Sequence, residues 1–166
     1  MKILALVPEA HGGFGGISVY NRDLIDAFCE LPHVDSLTLL PRRLREAPQG
    51  LPDKVDLVKT AANGRIAYSL AALKAAGQRY DFILCSHLYL LPFAKLAQRG
   101  RAIPILGVLY GVEAWAPTGR LLVDRLARNC TGLIAISAYT RDRFRAWSGA
   151  AEQKIHILPN ALDPAA

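Results

Sequence analysis

Unbroken apolar runs alternate along this chain with segments whose apolar positions recur every three or four residues. Lys2–Val7 is apolar after its first residue, as in a strand buried on both faces. Between Val19 and Leu31 the apolar positions fall at 20, 24, 25, 28 and 31, a helical period. Asp35–Leu40 and Lys54–Val58 predict two more strands. Arg65–Ala76, rich in Ala and Leu, predicts a helix closed by Gly77. Tyr80–Ser86 predicts a strand, and Tyr89–Gln98 a helix with Pro92 in its first turn and Gly100 as its stop. Ile103–Leu109 is the next strand. Thr118–Arg128 predicts a helix with Thr118 as its cap. Gly132–Ile136, the Ala138–Trp147 helix closed by Ser148-Gly149, and Ile155–Leu158 complete the series.

Strands separated by helices imply parallel pairing through right-handed crossovers. The expected fold is α/β, a Rossmann-like three-layer sandwich with a mostly parallel sheet and helices on both faces. Ligands in such sheets bind beyond the carboxyl ends of the strands, near the switch in strand order. The loops of interest are therefore Pro8–Gly16, Pro41–Leu44, Ser86–Leu88, Tyr110–Trp115 and Ser137–Thr140. Pro41–Asp53, with three prolines and a glycine, is a candidate mobile loop.

Composition narrows this picture. A length of 166 residues suits one domain, and 52% apolar residues suffice for a core. The 20 Lys+Arg against 14 Asp+Glu give a net charge of +6, spread along the sequence. Such an excess reads as solvated helix faces or as attraction to an acidic partner, such as an anionic bilayer or a phosphorylated substrate. No aromatic-interleaved basic stripe points to nucleic acid. Cys29, Cys85 and Cys130 lie in or beside apolar runs, without metal-ligand spacing, and read as buried free thiols of a reducing compartment. No apolar run approaches the length of a membrane span, so the expected location is cytoplasmic.

Two loops carry candidate chemistry. Pro8–Ser18 holds four glycines in five positions, followed at once by a helix. Backbone there can approach a ligand closely, and the helix N-terminus suits a phosphate or other anion. The spacing fits neither a phosphate-binding Walker loop nor a dinucleotide fingerprint; a plain connecting turn is the alternative. Tyr110–Trp115 places a Tyr, a Glu and a Trp in one turn at the ligand edge. Their rings offer faces for a sugar, and Glu113 offers an acceptor for hydroxyls; the alternative is Trp115 anchoring the turn. His87, after the fourth strand, is either an acid–base group or a structural residue.

Four segments together resemble a known family. They are Gly15-Gly16-Ile17 with Tyr20-Asn21-Arg22; Ser86-His87 before an apolar helix; Tyr110-Gly111-Val112-Glu113-Ala114-Trp115; and Ile136-Ser137 with Thr140-Arg141, running on through Ile155 to Pro159-Asn160-Ala161-Leu162-Asp163. The pattern is similar to the N-terminal domain of the retaining glycosyltransferases of family 4, whose fold is the two-domain GT-B architecture. The resemblance implies an enzyme that moves a sugar from a UDP- or GDP-linked nucleotide-sugar to a glycan or lipid-linked acceptor, with no metal and no other cofactor. It implies that residues 1–158 form the acceptor-side domain, that 159–166 begin an interdomain linker, and that a C-terminal donor-binding domain is missing. The isolated chain is then expected to be inactive. Peripheral association with the inner membrane surface is a further family-level expectation.

Carried over, Gly15 and Gly16 would lie against donor phosphates or acceptor. Tyr110 and Glu113 are the catalytic candidates, with the backbone at Tyr110-Gly111 facing the reacting sugar carbon. His87, Gly111 and Trp115 would join in binding substrate, and Asn160 and Asp163 would belong to the hinge. Two positions depart from the family. Tyr110 stands where many members have His, and Ala161 where Gly commonly follows Pro-Asn. Two other classes fit the sequence less well: a non-catalytic glycan- or anionic-surface-binding module, and a nucleotide-dependent oxidoreductase.

Overall fold

The computed structural model describes residues 1–160. Twelve main elements follow one another: β1 (Lys2–Val7), α1 (Gly16–Glu30), β2 (Ser36–Pro41), β3 (Val55–Leu57), α2 (Arg65–Ala75), β4 (Phe82–Cys85), α3 (Leu91–Gln98), β5 (Ile105–Leu109), α4 (Leu121–Arg128), β6 (Gly132–Ala135), α5 (Ala138–Ser148) and β7 (Ile155–Ile157). The strands form one seven-stranded sheet in the order β3-β2-β1-β4-β5-β6-β7. Every pairing is parallel. The Rossmann-like α/β fold expected from the sequence is the fold observed.

The inner strands each serve two cores because successive side chains point to opposite faces, while edge strands β3 and β7 serve one. In β1, Leu4 and Leu6 enter one core while Ile3, Ala5 and Val7 enter the other. The two cores are covered unequally. Tyr68 of α2, Ala94 of α3, Val123 of α4 and Phe144 of α5 close the first. Tyr20, Ile25 and Cys29, all from α1, close the second. Strand order explains the imbalance. The chain travels from β1 outward to β3, then returns and proceeds from β4 to β7 on the other side. With right-handed crossovers, the reversal moves every helix after α1 to the opposite face.

Local departures from the sequence expectation have physical causes. Helix α1 opens at Gly16, earlier than its apolar period shows, because Gly15 adopts φ 89 and turns the chain into the helix. Thr118 is not a cap. Helix α4 opens at Leu121, and the Thr118 amide and hydroxyl both donate to Oδ1 of buried Asp124, at 2.9 and 2.6 Å. Tyr89–Gln98 divides into a tight turn over Leu88–Leu90 and α3, with Pro92 in the first turn of α3 as expected. The proline-rich segment after β2 is pinned at its start. Arg42 N donates to Val7 O, Arg43 N to Pro8 O and Glu46 N to Gly12 O. The three cysteines are free and buried. Asp163 and the rest of 161–166 lie outside the described residues.

Candidate functional site

The order reversal falls between β1 and β4, so the loops leaving β1, β4 and β5 converge at one edge of the sheet. The glycines of the first loop divide into two pairs. A Cβ on Gly12, at φ +85, would collide with the Glu46 carbonyl oxygen. One on Gly13 would lie 2.5 Å from Ser18 Oγ and 2.7 Å from Glu9 Cβ. These two glycines let the loop fold against its own neighbours. Gly15 and Gly16 are exposed, and a Cβ on either would meet nothing within 4 Å. No side chain caps α1, and no acidic residue lies in its first turn. Its leading N–H groups are therefore left for solvent or an anion.

The turn after β5 is built the other way, from bonds its own side chains complete. The Glu113 carboxylate accepts from Tyr110 N at 2.7 Å and from Gly111 N at 3.1 and 3.0 Å. The acceptor foreseen for sugar hydroxyls is thus already engaged by two amides of its own turn. The Tyr110 hydroxyl donates to Asn21 Oδ1 at 2.6 Å, and Asn21 Nδ2 donates to Glu9 O at 2.7 Å. This chain stitches the exits of β5 and β1 together through α1. Burial pushes the Tyr110 phenol far above the ordinary tyrosine range, so it is a neutral donor at physiological pH. Tyr20 meets the Tyr110 ring edge to face at 5.5 Å, and its hydroxyl donates to Leu158 O at 3.0 Å. The exit segment is thereby tied to the same cluster. Asn160, beyond that tie, is exposed and irregular.

His87 sits at the exit of β4, half-buried, with its ring stacked on Tyr89. Its Nδ1 accepts from Tyr89 N at 3.2 Å, which places the neutral ring's proton on Nε2. Burial lowers its pKa from 6.5, and the negative charge of Glu113 partly opposes that shift. Trp115 is anchored: Nε1 donates to Thr140 Oγ1 at 3.3 Å, and the ring meets Tyr139 edge to face. Trp147 Nε1 donates to Ala114 O at 2.7 Å and fixes the base of the turn. The structure therefore brings Gly15, Gly16, His87, Tyr110, Gly111 and Glu113 to one edge, with Trp115 alongside, where the β5 turn meets the first turn of α5.

The individual residue readings gave no structural part to three groups. Asn21 is almost fully buried and joins two loops. Glu9 is buried and paired with Arg45 at 3.2 Å. Ser86 is fully buried beside the Tyr110 hydroxyl. A polar residue two positions into the apolar stripe of α1 was the available signal for Asn21. Among the described residues, no group of three or more His, Cys, Asp or Glu converges as a metal site.

Comparison with known proteins assigns the chain a family. The sequence model of glycosyltransferase family 4 matches residues 14–166. The chain belongs to that family, and its fold is the N-terminal half of a GT-B architecture. Among solved structures it is similar to the apo lipopolysaccharide outer core galactosyltransferase WaaB, with a TM-score of 0.65 and 18% identity over 98% of this chain. It is also similar to HepE of Anabaena in complex with UDP-glucose, with a TM-score of 0.61 and 19% identity over 98% of the chain. The chain spans 46% of the first of those proteins and 44% of the second. No curated protein sequence matches it.

Proposed function

We propose that this chain is the acceptor-side half of a retaining glycosyltransferase, which moves a sugar from a UDP- or GDP-linked donor to a glycan or lipid-linked acceptor. The observation that carries the reading is the meeting of two backbone surfaces at the order reversal. One is the uncapped N-terminus of α1 behind exposed Gly15 and Gly16. The other is the β5 turn, whose backbone at Tyr110-Gly111 is held in place by Glu113. Family membership supports the transferase class. The solved HepE complexes with UDP and UDP-glucose support a nucleotide-sugar donor.

In this reading the first-turn amides of α1 take negative charge from donor phosphates or acceptor. The turn after β5 faces the reacting sugar carbon. His87 donates from Nε2 to a sugar oxygen, and the exposed part of the Trp115 ring lies against the sugar. Tyr110 and Glu113 position the turn rather than exchange protons, because the phenol is buried and neutral and the carboxylate is engaged. No metal is required, since the helix N-terminus and the basic groups of a second domain can share the diphosphate charge. The enzyme works in the cytoplasm, at the inner membrane surface when its acceptor is lipid-linked.

The test is transfer from UDP- and GDP-sugars by the native full-length protein, beside residues 1–166 alone. The full-length protein should transfer and the isolated chain should not. Comparable rates would overturn the half-site reading. Absence of transfer from any donor, combined with NAD(P) binding, would overturn the transferase reading.

A further inference from the structure

Beneath the glycine loop lies a polar pair that the transfer reading does not use. The His11 side chain is 1% exposed, and its Nε2 stands 3.1 Å from Oδ1 of Asp26, which is 39% exposed. His11 belongs to the loop after β1, and Asp26 to α1, ten residues beyond Gly16. Ten residues of α-helix span about 15 Å, or roughly three turns. The loop is thus joined to α1 at two points, at Gly15 where the chain enters the helix and at Asp26 farther along. Two attachments to one rigid rod fix an angle, and this angle is the one at which the loop meets the helix.

The side chains that follow in the loop do not set this angle. Gly12 and Gly13 have none, and Phe14 is exposed. His11 is therefore the last buried side chain ahead of Gly15 and Gly16. Backbone bonds tie the loop to itself and to the segment after β2: Gly13 N donates to Ala10 O at 2.9 Å, and Glu46 N to Gly12 O at 3.1 Å. Asn21, the other link from α1, reaches the loop at Glu9 O, before His11.

The pair is a poor stabiliser. Its 3.1 Å contact lacks the alignment of a hydrogen bond, and His11 Nδ1 has no hydrogen-bond partner among the described residues. Burial raises the Asp26 carboxyl above its ordinary range although His11 and Arg22 pull it down, so desolvation outweighs their attraction. Replacing such a pair by apolar side chains often leaves a fold as stable, or more so. What the pair offers instead is a defined geometry. We infer that His11 is a positioning residue: held by Asp26, it fixes the angle at which the glycine loop enters α1, and so sets the backbone of Gly15 and Gly16 relative to the turn after β5. That Gly15 and Gly16 meet a ligand rests on the proposed transferase reading; the hold on the loop does not.

The test compares the native full-length protein with three variants. His11→Met combined with Asp26→Ala removes the polar contact with little change of volume at the buried position, so Tm should hold or rise. In that variant the amides of Gly13 and Glu46 should exchange with deuterium at least about ten times faster, while those of β4 and β5 keep the parent's rates. KM for the sugar donor or for the acceptor should rise at least about tenfold, since a displaced loop meets its ligand badly. A smaller folded fraction would lower kcat and leave KM alone. His11→Gln keeps an N–H at about the reach of Nε2, and Asp26→Asn keeps an oxygen facing the ring; each should stay within about threefold of the parent in KM. Parent-like exchange and KM in the apolar double variant would overturn the inference. So would Tm, exchange protection and kcat falling together, or a loss in His11→Gln as large as in the double variant. Absence of transfer by the parent would overturn the proposed function, and the exchange rates would then decide this inference on their own.

Discussion

The loop after β1 and the turn after β5 meet at the same sheet edge and solve opposite problems. The turn carries the chemically rich side chains, and nearly all of them are engaged within the protein. Glu113 closes on two backbone amides, Tyr110 on Asn21, and Trp115 on Thr140. The glycine loop carries no such side chains at Gly15 and Gly16, and leaves open space with free helix amides behind it. Residue type alone therefore misleads at this edge. The side chains build and hold the surface, and bare backbone supplies much of what a ligand would meet.

The comparison breaks most sharply at Gly16. A Cβ there meets nothing within 4 Å and the site is exposed, so stability should change by no more than about 1 kcal/mol. Two methyl groups would stand where ligand must approach. Displacing ligand by about an ångström costs on the order of a hundredfold in rate. Gly16→Val in the full-length enzyme should thus lose transfer at least that far while its Tm holds. Full activity would remove the glycine loop from the site.

Gly13→Ala probes the same loop from inside. Its Cβ would crowd Ser18 Oγ and Glu9 Cβ, an overpacking that costs about 1–3 kcal/mol. Stability and activity should fall together, unlike in Gly16→Val. A variant with unchanged Tm would show that the loop has room the structure does not reveal.

Tyr110→Phe sharpens the other half of the comparison. It removes the donor to Asn21 Oδ1 and leaves that buried oxygen unpaired, at a cost of about 1–3 kcal/mol. Activity per folded molecule should stay within about threefold, if the phenol only ties the turn to α1. Loss of several hundredfold in kcat, with Tm held, would make Tyr110 catalytic after all.

Much of this was legible in the sequence. The continuous apolar runs of β1, β5 and β6 announced strands buried on both faces, and their separation by helices announced parallel pairing. The loops at the ligand edge followed from that alone. What the sequence hid were partnerships across long separations. Asn21 reads as one polar residue on a helix until it is seen between Tyr110 and Glu9. Thr118 reads as a cap until Asp124 turns back to take both its donors.

The smallest effect concerns His87, whose Nδ1 is taken by the Tyr89 amide and whose Nε2 has no hydrogen-bond partner among the described residues. Burial disfavours its charged form, so its folded pKa lies below the 6.5 of a free imidazole. The stability that neutral His87 contributes is therefore fully present above 6.5 and is lost as pH falls from there through the folded value. His87→Asn keeps an acceptor for Tyr89 N but cannot take up the proton. Below pH 6.5 the parent should lose stability faster than the variant, so the gap between their Tm values should narrow or reverse on acidification. At neutral pH the variant should lose roughly three- to tenfold in transfer, the worth of one hydrogen bond from Nε2. Parallel Tm curves with intact activity would reduce His87 to a cap for the turn that follows β4, and would leave ligand contact at this edge to backbone and to Trp115.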